Sequence, residues 1–197
     1  MNFTTNYFFI YFFCCFNVFI VIPSFGQTTG DLFIQTAKRH LGKAYEINTL
    51  DLQKKEVLTI DSMQFDCVTF VEYVIAQTLS KKLPEYSNFN NTLTSIRYRN
   101  GKTDGYESRI HYFSEWLLQA EKNGIGKNIS LSLGGEFRKK QIHFMTSNSH
   151  KYPNLTDSVI MSKIRETEII LSDFNLPYVP NRNVEKILPK LQNGDLF

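Results

Sequence analysis

Asp66-Cys67 stands directly before a run in which Val68, Val71, Val74, Ile75 and Leu79 recur at helical spacing and which ends ahead of Lys81-Lys82-Leu83-Pro84. Apolar residues three and four apart mark one face of a helix, and a proline behind basic residues marks its end. Cys67 therefore opens a helix whose apolar face has to pack into a core, and the thiol is held at a fixed place at the head of that helix. Asp66 falls at the N-cap position, where a carboxylate accepts the free N–H groups of the first turn. Any fold for this chain has to be built around that buried helix.

The other elements read as helices first and strands later. Asp31 to Leu41 carries Leu32, Phe33, Ala37 and Leu41 at helical spacing and is closed by Gly42. Val57 to Ile60 reads as a short strand or extended entry. Ile96 to Arg99 alternates into Asn100-Gly101, a strand-and-turn pattern. Ser108 is placed to cap a helix running through Trp116 and Leu117, with Asn123-Gly124 as its stop. Ile129 to Leu133 and Ile142 to Met145 read as strands around Gly134-Gly135, and Asp157 to Leu171 as a helix with Ile160, Ile164 and Leu171 on one face. The order points to an α+β fold with its N-terminal helices packed on an antiparallel sheet whose strands lie late in the chain.

Residues 1–26 carry no charged side chain, whereas all 22 basic and 19 acidic residues follow them. Tyr7 to Ile22 is nearly all aromatic or β-branched, short for a bilayer span, and ends in Pro23-Ser24-Phe25-Gly26 with small residues at signal-peptidase spacing. We expect residues 1–26 to be a signal peptide and 27–197 to form one domain, secreted or periplasmic in the cell envelope, without stable membrane insertion after cleavage. An uncleaved anchor is the alternative, because the segment lacks a Lys or Arg. Cys14 and Cys15 leave with the signal, so Cys67 has no partner for a disulfide. A net charge of +3, scattered along the chain, does not argue for nucleic acid.

An unpaired cysteine at a helix start admits two readings. Free N–H groups and the positive end of the helix dipole favour a thiolate nucleophile, yet free cysteine is also a common buried small hydrophobe. A nucleophile needs a base, commonly histidine. His40 closes the first helix as a dipole partner, His143 alternates within an apolar run, and His150 lies in a polar loop. His111 belongs to the polar and aromatic cluster Tyr106-Glu107-Ser108-Arg109-Ile110-His111-Tyr112, suited to ligand contact or to clamping a turn beneath the Trp116 helix. No His-x-x-x-His, Cys-x-x-Cys or acidic pair stands at ligand spacing, so neither a metal nor another cofactor is expected.

Leu41-Gly42-Lys43-Ala44-Tyr45 followed by Phe65-Asp66-Cys67-Val68-Thr69-Phe70-Val71-Glu72 resembles the opening of NlpC-type papain-like cell-wall hydrolases. More narrowly, Tyr98-Arg99-Asn100-Gly101, Arg109-Ile110-His111-Tyr112-Phe113-Ser114-Glu115-Trp116, Leu133-Gly134-Gly135, Phe144-Met145 and Tyr178-Val179-Pro180 are similar to the N-acetylmuramoyl-L-alanine amidase-like family. The resemblance implies a papain-like fold that hydrolyses the amide between N-acetylmuramic acid and L-alanine in peptidoglycan fragments, with Cys67 as nucleophile. It places Tyr45 and Asp66 beside that thiol and Arg109, His111 and Tyr112 on the substrate. The family's catalytic histidine follows a Gly-Asp-apolar strand, which here begins at Gly194-Asp195-Leu196-Phe197, so the C-terminal strands and the histidine are expected beyond this sequence. An NlpC-type endopeptidase cutting within the stem peptide, or a non-catalytic remnant that binds wall fragments, are the alternatives.

Overall fold

The computed structural model describes residues 28–51 and 55–196. The segment read as a signal peptide lies outside them. Helix α1 (Thr29–Lys38) starts at Thr28, whose hydroxyl accepts the Asp31 N–H while the Asp31 carboxylate accepts the Thr28 N–H. A turn through Gly42, at φ 82° where glycine is favoured, leads to β1 (Ala44–Tyr45). It pairs in parallel with β2 (Gln64–Phe65), Tyr45 opposite Phe65. Then follow α2 (Cys67–Lys82), α3 (Phe89–Arg97) and α4 (Phe113–Lys122). The C-terminal part contains β3 (Glu136–Lys139), α5 (Phe144–Ser147), α6 (Ser158–Asp173), β4 (Asn175–Tyr178) and α7 (Val184–Ile187). Strands β3 and β4 form an antiparallel ribbon with Glu136 opposite Tyr178.

Two apolar clusters hold these elements. Ile75, Ala76 and Leu79 of α2 meet Leu93 and Ile96 of α3, Ile110, and Trp116 and Ala120 of α4, with Phe33 of α1 against them. Tyr106, Met145, Leu155 and Ile164 of α6 form the second, with Tyr112 and Tyr152 against it. The segment before α4 joins the two, since Ile110 belongs to the first and Tyr106 and Tyr112 to the second. The fold is a helix-rich α+β arrangement. Its main core is helix against helix, and the sheets among the described residues are two two-stranded pairs, one parallel and one antiparallel, where a helix-on-antiparallel-sheet layer had been expected.

Helices α2 and α6 stand where the periodicity puts them; α1 does so at its start but ends at Lys38, which leaves Leu41 exposed in the turn beyond it. Ile96 and Arg97 instead end helix α3, because Asn88 caps it by accepting the Asn91 N–H at 3.0 Å and turns Leu93 and Ile96 onto α2. Tyr98 is buried just past the helix end, which produced the alternating pattern. Tyr112, not Ser108, is the N-cap of α4, while Ser108 closes a tight turn by donating to the Gly105 carbonyl. Ile129 to Leu133 forms turns closed by the Gly135 N–H on the Ser130 carbonyl at 2.8 Å, and Ile142 to Met145 runs into α5 with Met145 buried. Val57 to Ile60 belongs to no strand or helix.

The loop between β1 and β2 is stitched to the helices by buried charge. Arg97 pairs through Nε with Glu72 Oε2 of α2 at 2.7 Å and donates through a second nitrogen to the Thr59 carbonyl. The Tyr98 hydroxyl donates to Glu56 at 2.8 Å. Arg109 pairs with Asp51, and its Nε lies 3.5 Å from Glu56 Oε1. At the far end of the chain Asn193 docks on α1, its side chain donating to Asp31 at 2.9 Å. A Cβ on Gly30 would sit 1.7 Å from the Asn193 carbonyl oxygen, so only glycine permits this approach.

Candidate active site

Cys67 is the first residue of α2 and is exposed, although the helix behind it buries Thr69, Glu72, Val74, Ile75, Ala76, Thr78 and Leu79. Asp66 makes this head rigid. One of its oxygens, Oδ1, accepts the N–H of Val68 at 3.0 Å and of Thr69 at 2.7 Å as well as the Thr69 hydroxyl at 2.9 Å, while the Asp66 N–H donates to Thr69 Oγ1. This reciprocal cap satisfies two first-turn donors. The Cys67 N–H and Asp66 Oδ2 have no hydrogen-bond partner among the described residues.

The β1–β2 pair brings Tyr45 to the same place. Tyr45 is the register partner of Phe65, two residues before the cysteine, and its side chain is 67% exposed. Lys43 fixes the approach of this strand by donating to the Ser62 carbonyl, with its ammonium 5.8 Å from the Phe65 ring centroid. Leu41, Ile47, Met63 and Val68, close in sequence to β1, β2 and Cys67, are exposed as well. The thiol is therefore exposed at the helix head, where one backbone donor and one carboxylate oxygen have no other partner among the described residues.

Arg109, His111 and Tyr112 are committed to the fold. Arg109 is buried between Asp51 and Glu56, with its guanidinium over the Tyr106 ring at 5.0 Å. Burial is the largest single effect and lowers its pKa, but Asp51 and Glu56, helped by Tyr106, together outweigh it and hold the pKa above its ordinary value. His111 Nε2 is 2.9 Å from the Tyr106 carbonyl, and burial together with the Arg109 charge lowers the ring pKa to about 3. The geometry matches a clamp on the Tyr106–Tyr112 segment. The Tyr112 hydroxyl donates to Glu168 of α6 and accepts the Met145 N–H at 2.9 Å, while its ring lines an open groove.

No histidine is hydrogen-bonded to Cys67 among the described residues. His40 packs edge-on against Phe65 and Tyr73 with Nε2 3.3 Å from Gln77 Oε1, and His143 Nδ1 lies 2.9 Å from the Ser147 hydroxyl. No group of three or more His, Cys, Asp or Glu that could hold a metal occurs among the described residues, and no described helix is long and apolar enough to cross a membrane.

Sequence reasoning passed over Glu72 and Glu168. Burial raises the Glu72 pKa more than Arg97 lowers it, and Glu168 accepts from Tyr112, Thr146 and the Thr146 backbone. Their spacing carried the information: Glu72 precedes Ile75 and Leu79, and Glu168 follows Ile164 and precedes Leu171, on the buried helix faces.

The helix-rich α+β frame that carries this capped cysteine is similar to solved amidases. An N-acetylmuramoyl-L-alanine amidase from Bacteroides uniformis ATCC 8492 superposes with a TM-score of 0.78 at 32% identity, over 84% of this chain and 71% of that one. A proposed xylanase from Bacteroides fragilis reaches 0.69 at 29% identity, over 74% and 65% respectively. A Legionella pneumophila protein at 20% identity, with a TM-score of 0.54, shares the fold alone. No curated protein sequence matches the chain. Residues 35–197 match the family model described as AmiA-like, N-acetylmuramoyl-L-alanine amidase-like, and the chain belongs to that family.

Proposed function

We propose that this protein is a peptidoglycan hydrolase that cleaves the amide between the lactyl group of N-acetylmuramic acid and L-alanine, with Cys67 as nucleophile, in a secreted or periplasmic setting. The observation that carries this reading is the exposed Cys67 thiol at the capped head of a buried helix beside Tyr45, in a chain of the amidase-like family. The Cys67 thiolate attacks the lactyl carbonyl carbon. The oxyanion accepts the Cys67 N–H, the donor that Asp66 leaves free. The C–N bond breaks, the L-alanine nitrogen takes a proton, and water hydrolyses the lactyl thioester to restore the thiol. Tyr45 and Asp66 Oδ2 flank the reacting amide, and Arg109 and His111 act by holding the Tyr106–Tyr112 segment that carries Tyr112. The general base of this scheme is a histidine, as the papain-like resemblance implies.

The test is digestion of N-acetylmuramoyl-L-alanyl-D-glutamate by the protein isolated from its source. Release of a free L-alanine N-terminus supports the amidase, whereas a new D-glutamate N-terminus assigns an endopeptidase. Cys67→Ala abolishes release while leaving the thermal transition in place. Activity of Cys67→Ala at wild-type level refutes the assignment of the nucleophile.

A further inference from the structure

An open groove of about 560 Å3 lies between the N-terminus of α4, the β3–β4 ribbon and the C-terminal end of α6. It is within the range of small-ligand sites. No residue from 41–69 lines it, so it is separate in its lining from the Cys67 site. Its walls mix aromatic and aliphatic residues, Tyr112, Phe113, Phe144 and Tyr178 among them, with polar and basic ones, His143 included, and they contain no Asp or Glu.

The cations around the ribbon are sorted by where they stand. Lys139 pairs with Asp173 at 3.1 Å and Arg182 with Glu136 at 3.2 Å, and neither Lys139 nor Arg182 lines the groove. Arg138 and Lys140 line it, and neither has a carboxylate partner among the described residues. The Arg138 guanidinium instead lies 5.8 Å from the Tyr178 ring centroid, a placement that keeps a cation at the groove wall. Strand alternation puts Arg138 and Lys139 on opposite sides of β3, and Lys140 follows directly after the strand. The Glu136 carboxylate, at the ribbon's end, is occupied by the Tyr178 hydroxyl at 2.6 Å and by Arg182.

We propose that this groove binds a carboxylate-bearing muropeptide, its carboxylates on Arg138 and Lys140 and its sugar or apolar peptide faces on the aromatic walls. The choice of occupant rests on the peptidoglycan reading above. The complementarity rests on the acid-free lining and the two unpaired cations. Such contacts are charge-assisted and aromatic together, which favours an acidic body with apolar faces over a simple anion.

Trp116, the chain's single tryptophan, provides a readout. Its ring stacks on that of Phe113, a groove residue, at 5.9 Å and 10°. In the Cys67→Ala protein, N-acetylmuramoyl-L-alanyl-D-glutamate is expected to shift the Trp116 emission. It binds roughly tenfold or more tightly than its diamide, as loss of charge-assisted bonds implies, and binding weakens as salt rises from roughly 50 to 500 mM. Arg138→Ala with Lys140→Ala loses roughly tenfold or more in affinity, whereas Lys139→Ala, one position away and outside the groove, does not. Arg138→Lys, which keeps the charge, retains part of the affinity and guards against a folding artefact. Equal affinity for acid and diamide, an unaffected double variant, or binding without a change in Trp116 emission overturns the proposal. So does an emission shift on raising protein concentration without ligand, which assigns the groove to a second copy of the chain. Hydrolysis by the wild-type protein without groove binding defeats this inference alone, and groove binding without hydrolysis defeats the nucleophile reading alone.

Discussion

Replacing Arg97 by Met tests how the Cys67 helix is held. Arg97 Nε and Glu72 Oε2 are 2.7 Å apart, with side-chain exposures of 3% and 2%. At an effective dielectric near 20, charges at that separation attract by about 6 kcal/mol before desolvation is subtracted. Removing one partner leaves the other charge buried, which costs about 3–5 kcal/mol. For a chain of this size that corresponds to a loss of about 6–20 °C in thermal midpoint. The companion Glu72→Leu with Arg97→Met leaves no charge behind and recovers most of the loss, short by about 1 kcal/mol for the orphaned Thr59 carbonyl. The pH dependence supplies a second check. Burial already raises the Glu72 pKa above its ordinary 4.5, and losing Arg97 raises it further. The folded state then holds the proton more tightly than the unfolded one. Stability of Arg97→Met is greatest below pH 4.5 and falls as pH rises through the window above it. Chemical denaturation of both variants at about pH 4 and about pH 7 measures the gap. A single variant within about 1 kcal/mol of wild type, or a gap that does not widen with pH, refutes the reasoning.

Three further outcomes follow from other parts of the structure. Asp66→Ala strips the acceptor from the Val68 and Thr69 N–H groups and lowers stability by about 1 kcal/mol, whereas Asp66→Asn or Asp66→Ser retains most of it; equal melting of all three variants contradicts the cap. His111, with its pKa lowered to about 3 by burial and Arg109, stays neutral in the folded chain on mild acidification while the unfolded chain's ring takes a proton, so its stability contribution is full above its ordinary 6.5 and is lost progressively as pH falls from there toward 3; a ring NMR titration near 6.5 contradicts its burial. Gly30→Ala drives a methyl into the Asn193 carbonyl oxygen and costs about 1–3 kcal/mol, with faster amide exchange at residues 192–195; unaltered exchange there contradicts the docking.

The elements legible in the sequence are those whose helices bury one face and carry a polar cap. Asp66 before α2 and Asp157 before α6 fulfil both conditions, and both helices begin where expected. The β3–β4 ribbon was hidden because all four β3 residues are exposed, so no alternation of apolar and polar residues marks it. Tertiary burial misled at Ile96 to Arg99: Arg97 and Tyr98 are both buried, one by Glu72 and the other by Glu56, and such partners are 25 and 42 residues away in the chain. The placement of Cys67 at a helix head was readable from local pattern. The partners of Arg109 were not, because Asp51 and Glu56 belong to a loop with no periodicity of its own, whereas the His111 contact with the Tyr106 carbonyl is local and falls within the turn clamp that the sequence left open.

That loop explains how an exposed thiol can still be held rigidly. Cys67 itself makes no packing contribution that would fix it, so its position depends on what precedes and follows it. Behind it, α2 is anchored by Ile75, Ala76 and Leu79 in the main core and by Glu72 on Arg97. Ahead of it, β2 is anchored through β1, and the intervening loop is tied at Asp51, Glu56 and Thr59 by Arg109, Tyr98 and Arg97. Arg97 thus joins both anchors, touching α2 through Glu72 and the loop through Thr59. A perturbation there moves the two supports of the Cys67 turn relative to each other, whereas a change at Cys67 disturbs neither. Stability and chemistry are thereby separable at this site: Arg97 variants lower the first and misplace the second, while Cys67 variants remove only the thiol.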